Sequence, residues 1–92
     1  ILVLSSKRHN KQTGLVICCP ISTNIRGTAT EVAVHNLDKP SVVASSLIQS
    51  LPWKDRNASF IATAEHGVMD QVLVRIIPLI GADSVIEKLI GE

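Results

Sequence analysis

The apolar run Leu15-Val16-Ile17-Cys18-Cys19 is closed by Pro20 after five residues, too few for a core helix and enough for a buried strand. Pro20 cannot donate to a sheet ladder, so the ladder is predicted to stop there. Beyond Pro20 the chain turns polar: Ser22-Thr23-Asn24, then Arg26 and Gly27. Two hydroxyls and an amide at a strand end can bond a phosphoryl oxygen or cap a turn, and Arg26 adds a fixed positive charge suited to phosphate. Gly27 lets the chain turn back before a strand at Thr30. This loop is the place where the sequence offers chemistry.

The flanking segments repeat the short-strand pattern. Ile1–Ser5 reads as a strand that starts without a polar lead-in, which points to residues upstream of Ile1. Ser6 to Gly14 reads as a polar, basic loop ended by a Thr13-Gly14 turn. Thr30–Val34 alternates with period two, Ser41–Ala44 resumes after the His35–Pro40 turn, and Leu47–Leu51 forms another short strand before Pro52 and Trp53. Ala58–Ala64 is a further strand candidate. From Gly67 the period changes: Met69, Val72, Leu73, Ile76, Ile77 and Ile80 fall at helical spacing, with Gly81 placed to end that helix. A second helix is predicted over Asp83–Ile90, capped by Asp83 or Ser84. The fold class this gives is mainly β with a C-terminal helix, a small antiparallel barrel or curled sheet, in a single domain over residues 1–92.

Composition narrows the partners. Hydrophobic residues make up 46% of the 92 and aromatics 2%, so the core is aliphatic and part of the apolar surface is expected to be hidden in a homodimer. The net charge of +1 is uninformative, but residues 1–35 carry Lys7, Arg8, Lys11 and Arg26 against Glu31, a balance of +3. An anionic ligand therefore suits the N-terminal half. Lys7, Arg8 and Lys11 serve solubility or contact phosphates. The adjacent Cys18 and Cys19 point to opposite faces and read as reduced thiols of a cytoplasmic protein. No run of about 20 apolar residues exists to span a membrane, and the cysteine spacing builds no zinc site. Asn57-Ala58-Ser59 matches a glycosylation acceptor by chance. The sole tryptophan, Trp53, suits a core or dimer-interface anchor, or a base-stacking platform.

Taken in order, Leu2–Ser5, the Asn10–Gly14 turn, the Cys18–Gly27 strand and loop with Glu31-Val32 after it, Gln49–Arg56, and Pro78–Gly81 resemble the MazF/PemK endoribonuclease toxins of type II toxin–antitoxin systems. The resemblance implies the small SH3-like barrel shared by the CcdB, PemK and MazF toxins, working as a homodimer. It implies cleavage of single-stranded RNA at short sequences without cofactor or metal, and silencing by a MazE-like antitoxin. The ribose 2′-hydroxyl attacks the adjacent phosphorus, leaving a 2′,3′-cyclic phosphate and a 5′-hydroxyl, which restricts the chemistry to RNA.

Carried over residue by residue, the family's loop hydroxyl falls on Ser22, with Thr23 beside it, as the catalytic pair. Asn24, Arg26, Lys7, Arg8, His9 and Lys11 are the RNA-binding set. The family's key arginine, in an Arg-Pro pair, would lie just before Ile1. The acidic or amide pair of the family aligns with Ser46 and Leu47, which leaves His9 and His35 as the groups with a near-neutral reference pKa. A non-catalytic module on the same fold is the alternative, either a degenerate toxin homologue or a CcdB-like gyrase binder. CcdB toxins carry a tryptophan near the C-terminus, where this chain has Leu89-Ile90-Gly91-Glu92. A Ser22 hydrolase paired with His35 or His66 lacks the strand–turn–helix elbow such a nucleophile needs.

Overall fold

In a computed structural model that describes residues 1–54 and 64–91, six short strands form two sheets, with one helix between β1 and β2 and two at the C-terminal end of the described chain. The order is β1 (Leu2–Val3), α1 (Lys7–Thr13), β2 (Leu15–Cys19), β3 (Ile21–Ser22), β4 (Glu31–Val34) and β5 (Ser41–Ala44). A 3₁₀ turn over Ser45–Leu47, β6 (Gln49–Pro52), α2 (Val68–Leu79) and α3 (Ala82–Ile90) complete it. Both sheets are antiparallel, ordered β1-β2-β6 and β3-β5-β4.

Pro20 does what its chemistry predicts, and more. The first sheet's ladder ends at Cys19, and the chain crosses at Pro20 into the second sheet as β3. Pro20 has no N–H to give, but its carbonyl accepts from the Ala44 N–H at 3.0 Å and so seats the crossover against β5. The described strands thus make two open sheets joined at this corner, where the sequence allowed a small antiparallel barrel or a curled sheet. The strand candidate at Ala58–Ala64 lies almost wholly outside the described residues, as do Asp55, Arg56 and the Asn57 acceptor.

Residues 6–14 depart from the predicted loop. Lys7–Thr13 is a helix, although it buries no residue and has no apolar stripe. Its ends supply the reason. The Ser6 hydroxyl accepts from the His9 N–H at 3.2 Å, and Gly14, at φ 73°, closes the helix by donating to the Asn10 carbonyl. Ser5 then ties the helix down: its hydroxyl donates to Asn10 Oδ1 at 2.5 Å and accepts from the Ile17 N–H at 2.9 Å.

The core is aliphatic as composition requires. Leu2, Cys19, Val32, Val34 and Val43 from the sheets meet Val68, Val72 and Ile76 from α2, with Leu4, Ile21, Leu37 and Met69 packed around them. Val68, Val72 and Ile76 recur four apart, so one face of α2 lies on β4 and the 3₁₀ turn. Pro78 falls in the last turn, and Gly81 (φ 74°) ends the helix with its N–H on the Pro78 carbonyl. Gly81 then serves as N-cap of α3 with no side-chain cap, so the predicted Asp83 or Ser84 cap is replaced by a glycine turn.

Candidate active site

The loop between β3 and β4 is built from its ends inward. Ser22 closes β3 opposite Val42, and its hydroxyl accepts from the Asn24 N–H at 3.0 Å. Accepting that bond leaves the hydroxyl proton to be donated elsewhere. Ser22 is half-buried, while Thr23, Asn24, Ile25 and Arg26 are exposed beyond it. Ser22 therefore forms the turn and keeps its own proton unused by the described residues.

Glu31, the first residue of β4, was visible in sequence only as a charge and a landmark. Its carboxylate reaches back to accept from the Gly27 N–H at 2.7 Å and from those of Arg26 and Thr28, each at 3.2 Å. Three successive backbone donors converge on one anion, a nest filled by the chain's own side chain. Gly27, at φ 77°, supplies the left-handed turn that brings those donors together. Arg75 on α2 grips the same loop from the other side. Its Nε donates to the Ala29 carbonyl at 3.0 Å, and its Nη1 to the Gln71 carbonyl (3.0 Å) and Oε1 (2.8 Å). No local sequence pattern predicts this Arg75 contact, which lies 46 residues away in the chain.

With the loop backbone pinned, the Arg26 guanidinium projects from a fixed stem and has no ion-pair partner among the described residues. Lys7 and Lys11 lie one turn apart on α1, near Trp53, whereas Arg8 is exposed at a different angle of the helix and His9 is half-buried. The predicted basic cluster is therefore split. α1 packs along β2 and is tied through Ser5 to Ile17, three residues before Pro20. His35 lies two strands across and two residues along from Ser22, about 12 Å by strand spacing, and its backbone N–H donates to Glu65 Oε1 at 2.6 Å.

Cys18 and Cys19 are free and buried. Burial pushes both thiols up, and the neighbouring Cys18 adds to the rise at Cys19, so neither is poised as a nucleophile. Among the described residues no group of three His, Cys, Asp or Glu side chains could hold a metal ion. Nor is any described helix long and apolar enough to cross a membrane.

A two-sheet β domain with a helix laid across it, and a hydroxyl-rich loop pinned where the chain changes sheets, is the class this geometry defines. A family described as PemK-like, MazF-like toxin of type II toxin–antitoxin systems matches residues 1–80. The endoribonuclease toxin MazF of Escherichia coli K12 is 28% identical over 80 residues, 87% of this chain and 72% of that protein. A MazE-MazF crystal structure from Deinococcus radiodurans superposes with a TM-score of 0.81 at 33% identity, covering 87% of this chain and 78% of that one. A Mycobacterium tuberculosis MazF toxin gives 0.72 at 27% identity, covering 87% and 83%. The chain belongs to the PemK-like, MazF-like toxin family. The matched span includes the whole Ser22–Glu31 loop and ends before α3.

Proposed function

We propose that the chain is an endoribonuclease toxin of a type II toxin–antitoxin system that cuts single-stranded RNA at short sequences. The observation that carries this reading is the family match over residues 1–80, within which the Ser22 loop is held as a pinned donor surface. The Escherichia coli relative is named for endoribonuclease activity, and the Deinococcus radiodurans structural neighbour was crystallised as a MazE-MazF complex, so a MazE-like antitoxin is the partner expected here.

In this reading the substrate supplies its own nucleophile. The 2′-hydroxyl attacks the adjacent phosphorus, the P–O5′ bond breaks, and the products are a 2′,3′-cyclic phosphate and a 5′-hydroxyl. The protein's task is to stabilise charge on the phosphoryl oxygens and to orient the chain in line. Ser22 donates its hydroxyl proton to a phosphoryl oxygen, Thr23 offers a second hydroxyl, and Asn24 and Arg26 hold neighbouring phosphates or bases. Lys7, Arg8, His9 and Lys11 bind the RNA further along. No metal ion is required by this route. Two buried thiols in a reduced state fit a cytoplasmic protein.

The test is a mixed-sequence RNA incubated with the protein in excess EDTA, with both new ends mapped, beside Ser22→Ala. Discrete cuts bearing 2′,3′-cyclic phosphate, slowed by roughly 100-fold or more in the variant, are expected if the loop stabilises the transition state. Intact RNA from a folded protein would overturn the nuclease reading in favour of a binding module.

A further inference from the structure

The far end of β2 holds a second feature that the cleavage chemistry does not use. Trp53, just after β6, is fixed there by two hydrogen bonds: its backbone N–H donates to the Gly14 carbonyl at 3.2 Å, and its indole N–H to the Asn10 carbonyl at 2.9 Å. With the indole nitrogen satisfied inside the protein, the ring is locked in orientation without needing a solvent partner. Beside it opens a shallow, largely apolar cavity of about 270 Å³, lined by Lys7, Asn10, Lys11, Val16 and Trp53. Drug-sized ligands need pockets of about 300–1,000 Å³, so this one suits a single flat ring system.

The cavity's charge decides what kind of ring. Lys7 and Lys11 line it from one face of α1, and Lys54 places its Nζ 5.7 Å from the Trp53 ring centroid. Two lysines line the cavity and a third lies over the indole, and no carboxylate is among the described lining residues. An apolar ring alone would not call for that rim. A nucleotide does: its base stacks on the indole and its flanking phosphates meet the lysines.

We infer that the Trp53 cavity is a distal subsite for one base of single-stranded RNA, with Lys7 and Lys11 holding the adjoining phosphates. The inference rests on the reading that the substrate is RNA, and adds a site separated by the length of β2 from the Ser22 loop. Substrates long enough to span both gain affinity from it; shorter ones are cut without it.

Trp53 is the chain's sole tryptophan, so its fluorescence reports on this site alone. A single-stranded RNA with every 2′ oxygen methylated resists cleavage and serves as the probe, with a fluorescein end label to follow total binding by anisotropy. Quenching of Trp53 should track the anisotropy curve. Trp53→Leu should bind between about 5-fold and 100-fold more weakly, the range seen when one base loses its aromatic platform, and Trp53→Phe should bind nearly as well as the parent. Lys7→Ala and Lys11→Ala should each flatten the slope of log K against log salt by about 0.7.

Binding by anisotropy with unchanged fluorescence overturns the subsite, as does equal affinity in a Trp53→Leu variant shown to be folded by circular dichroism. If that variant does not fold, the quenching and the two lysine slopes decide. Quenching by a polyglutamate peptide but not by RNA overturns it too and assigns the cavity to a protein partner. Unmodified RNA cut by a protein whose Trp53 is never quenched would sink this inference and leave the nuclease standing. RNA neither cut nor bound would sink both.

Discussion

Glu31 shows how one side chain can decide whether a loop is a surface or a site. Its carboxylate receives three backbone N–H groups from residues 26–28, and a neutral amide offers only one oxygen for that cluster. Glu31→Gln should cost about 1 kcal/mol in urea unfolding, the net worth of a typical hydrogen bond. Cleavage should slow by more than that loss explains, because residues 24–28 would no longer be held in one geometry. Equal kcat in parent and variant would show that the nest serves stability alone. Ser45 presents the opposite case: it is buried, and its hydroxyl has no partner among the described residues. Ser45→Ala should raise stability by about 1 kcal/mol, since a buried unmet hydroxyl costs about 1–3 kcal/mol.

The buried thiols add a pH dependence whose sign follows from their direction of shift. Both are pushed up by burial in the folded protein. As pH rises past the ordinary thiol range, near 8.5, the unfolded chain gives up its thiol protons first and the folded one keeps them. Unfolding is then favoured, so this contribution is intact below that pH and is lost as pH climbs toward the raised folded values. Urea unfolding from pH 7 to 10 should show the decline, and Cys18→Ala with Cys19→Ala should make it shallower. A parent and double variant that decline in parallel would place the effect in other groups.

At the scale of elements, legibility tracked how local the cause was. β2, β5 and α2 could be read because their signals are contiguous: an apolar run closed by proline, a short β-branched segment, a stripe at helical spacing. α1 escaped because seven polar residues carry no stripe at all. Its signal lay in the ends, Ser6 as a cap and Gly14 as the left-handed stop, and those were read as loop punctuation. Arg75 escaped for a different reason. Its partner, Ala29, is remote in sequence, and a backbone carbonyl leaves no trace in residue identity. The Ser22 turn is one of two roles its residue type allows, whereas nothing local signals the Glu31 nest behind it. Arg75→Ala should therefore act on the loop through α2, lowering kcat by roughly ten-fold, as small misplacements do, while Arg75→Lys recovers part of it. Unchanged kcat in a folded Arg75→Ala variant would show that Glu31 alone sets the loop.

For the molecule as a whole, the outstanding feature is what the second helix leaves uncovered. Leu73, Val74, Leu79 and Ile80 on α2 and the turn after it are exposed, and α3 adds Val85, Leu89 at 79% and Ile90 at 80%. Scattered apolar residues on a surface need no explanation, but these fall on two helices that pack against each other. The same aliphatic composition that fills the core thus reaches the surface, most densely on α2 and α3 but also at Ile1, Ile25 and Leu47, which is the physical basis for the predicted homodimer. A second copy covering those helices would remove their apolar surface from water, and an isologous contact would close on itself without growing into a fibre. Sedimentation at tens of micromolar should then give twice the 9.9 kDa chain mass. Leu89→Glu with Ile90→Glu would leave the sheets untouched, because neither residue belongs to the core cluster. If α3 belongs to the contact, that variant sediments as a folded monomer. If the variant remains a dimer, the contact lies on α2 or the sheets; a parent that sediments at 9.9 kDa would remove the homodimer altogether.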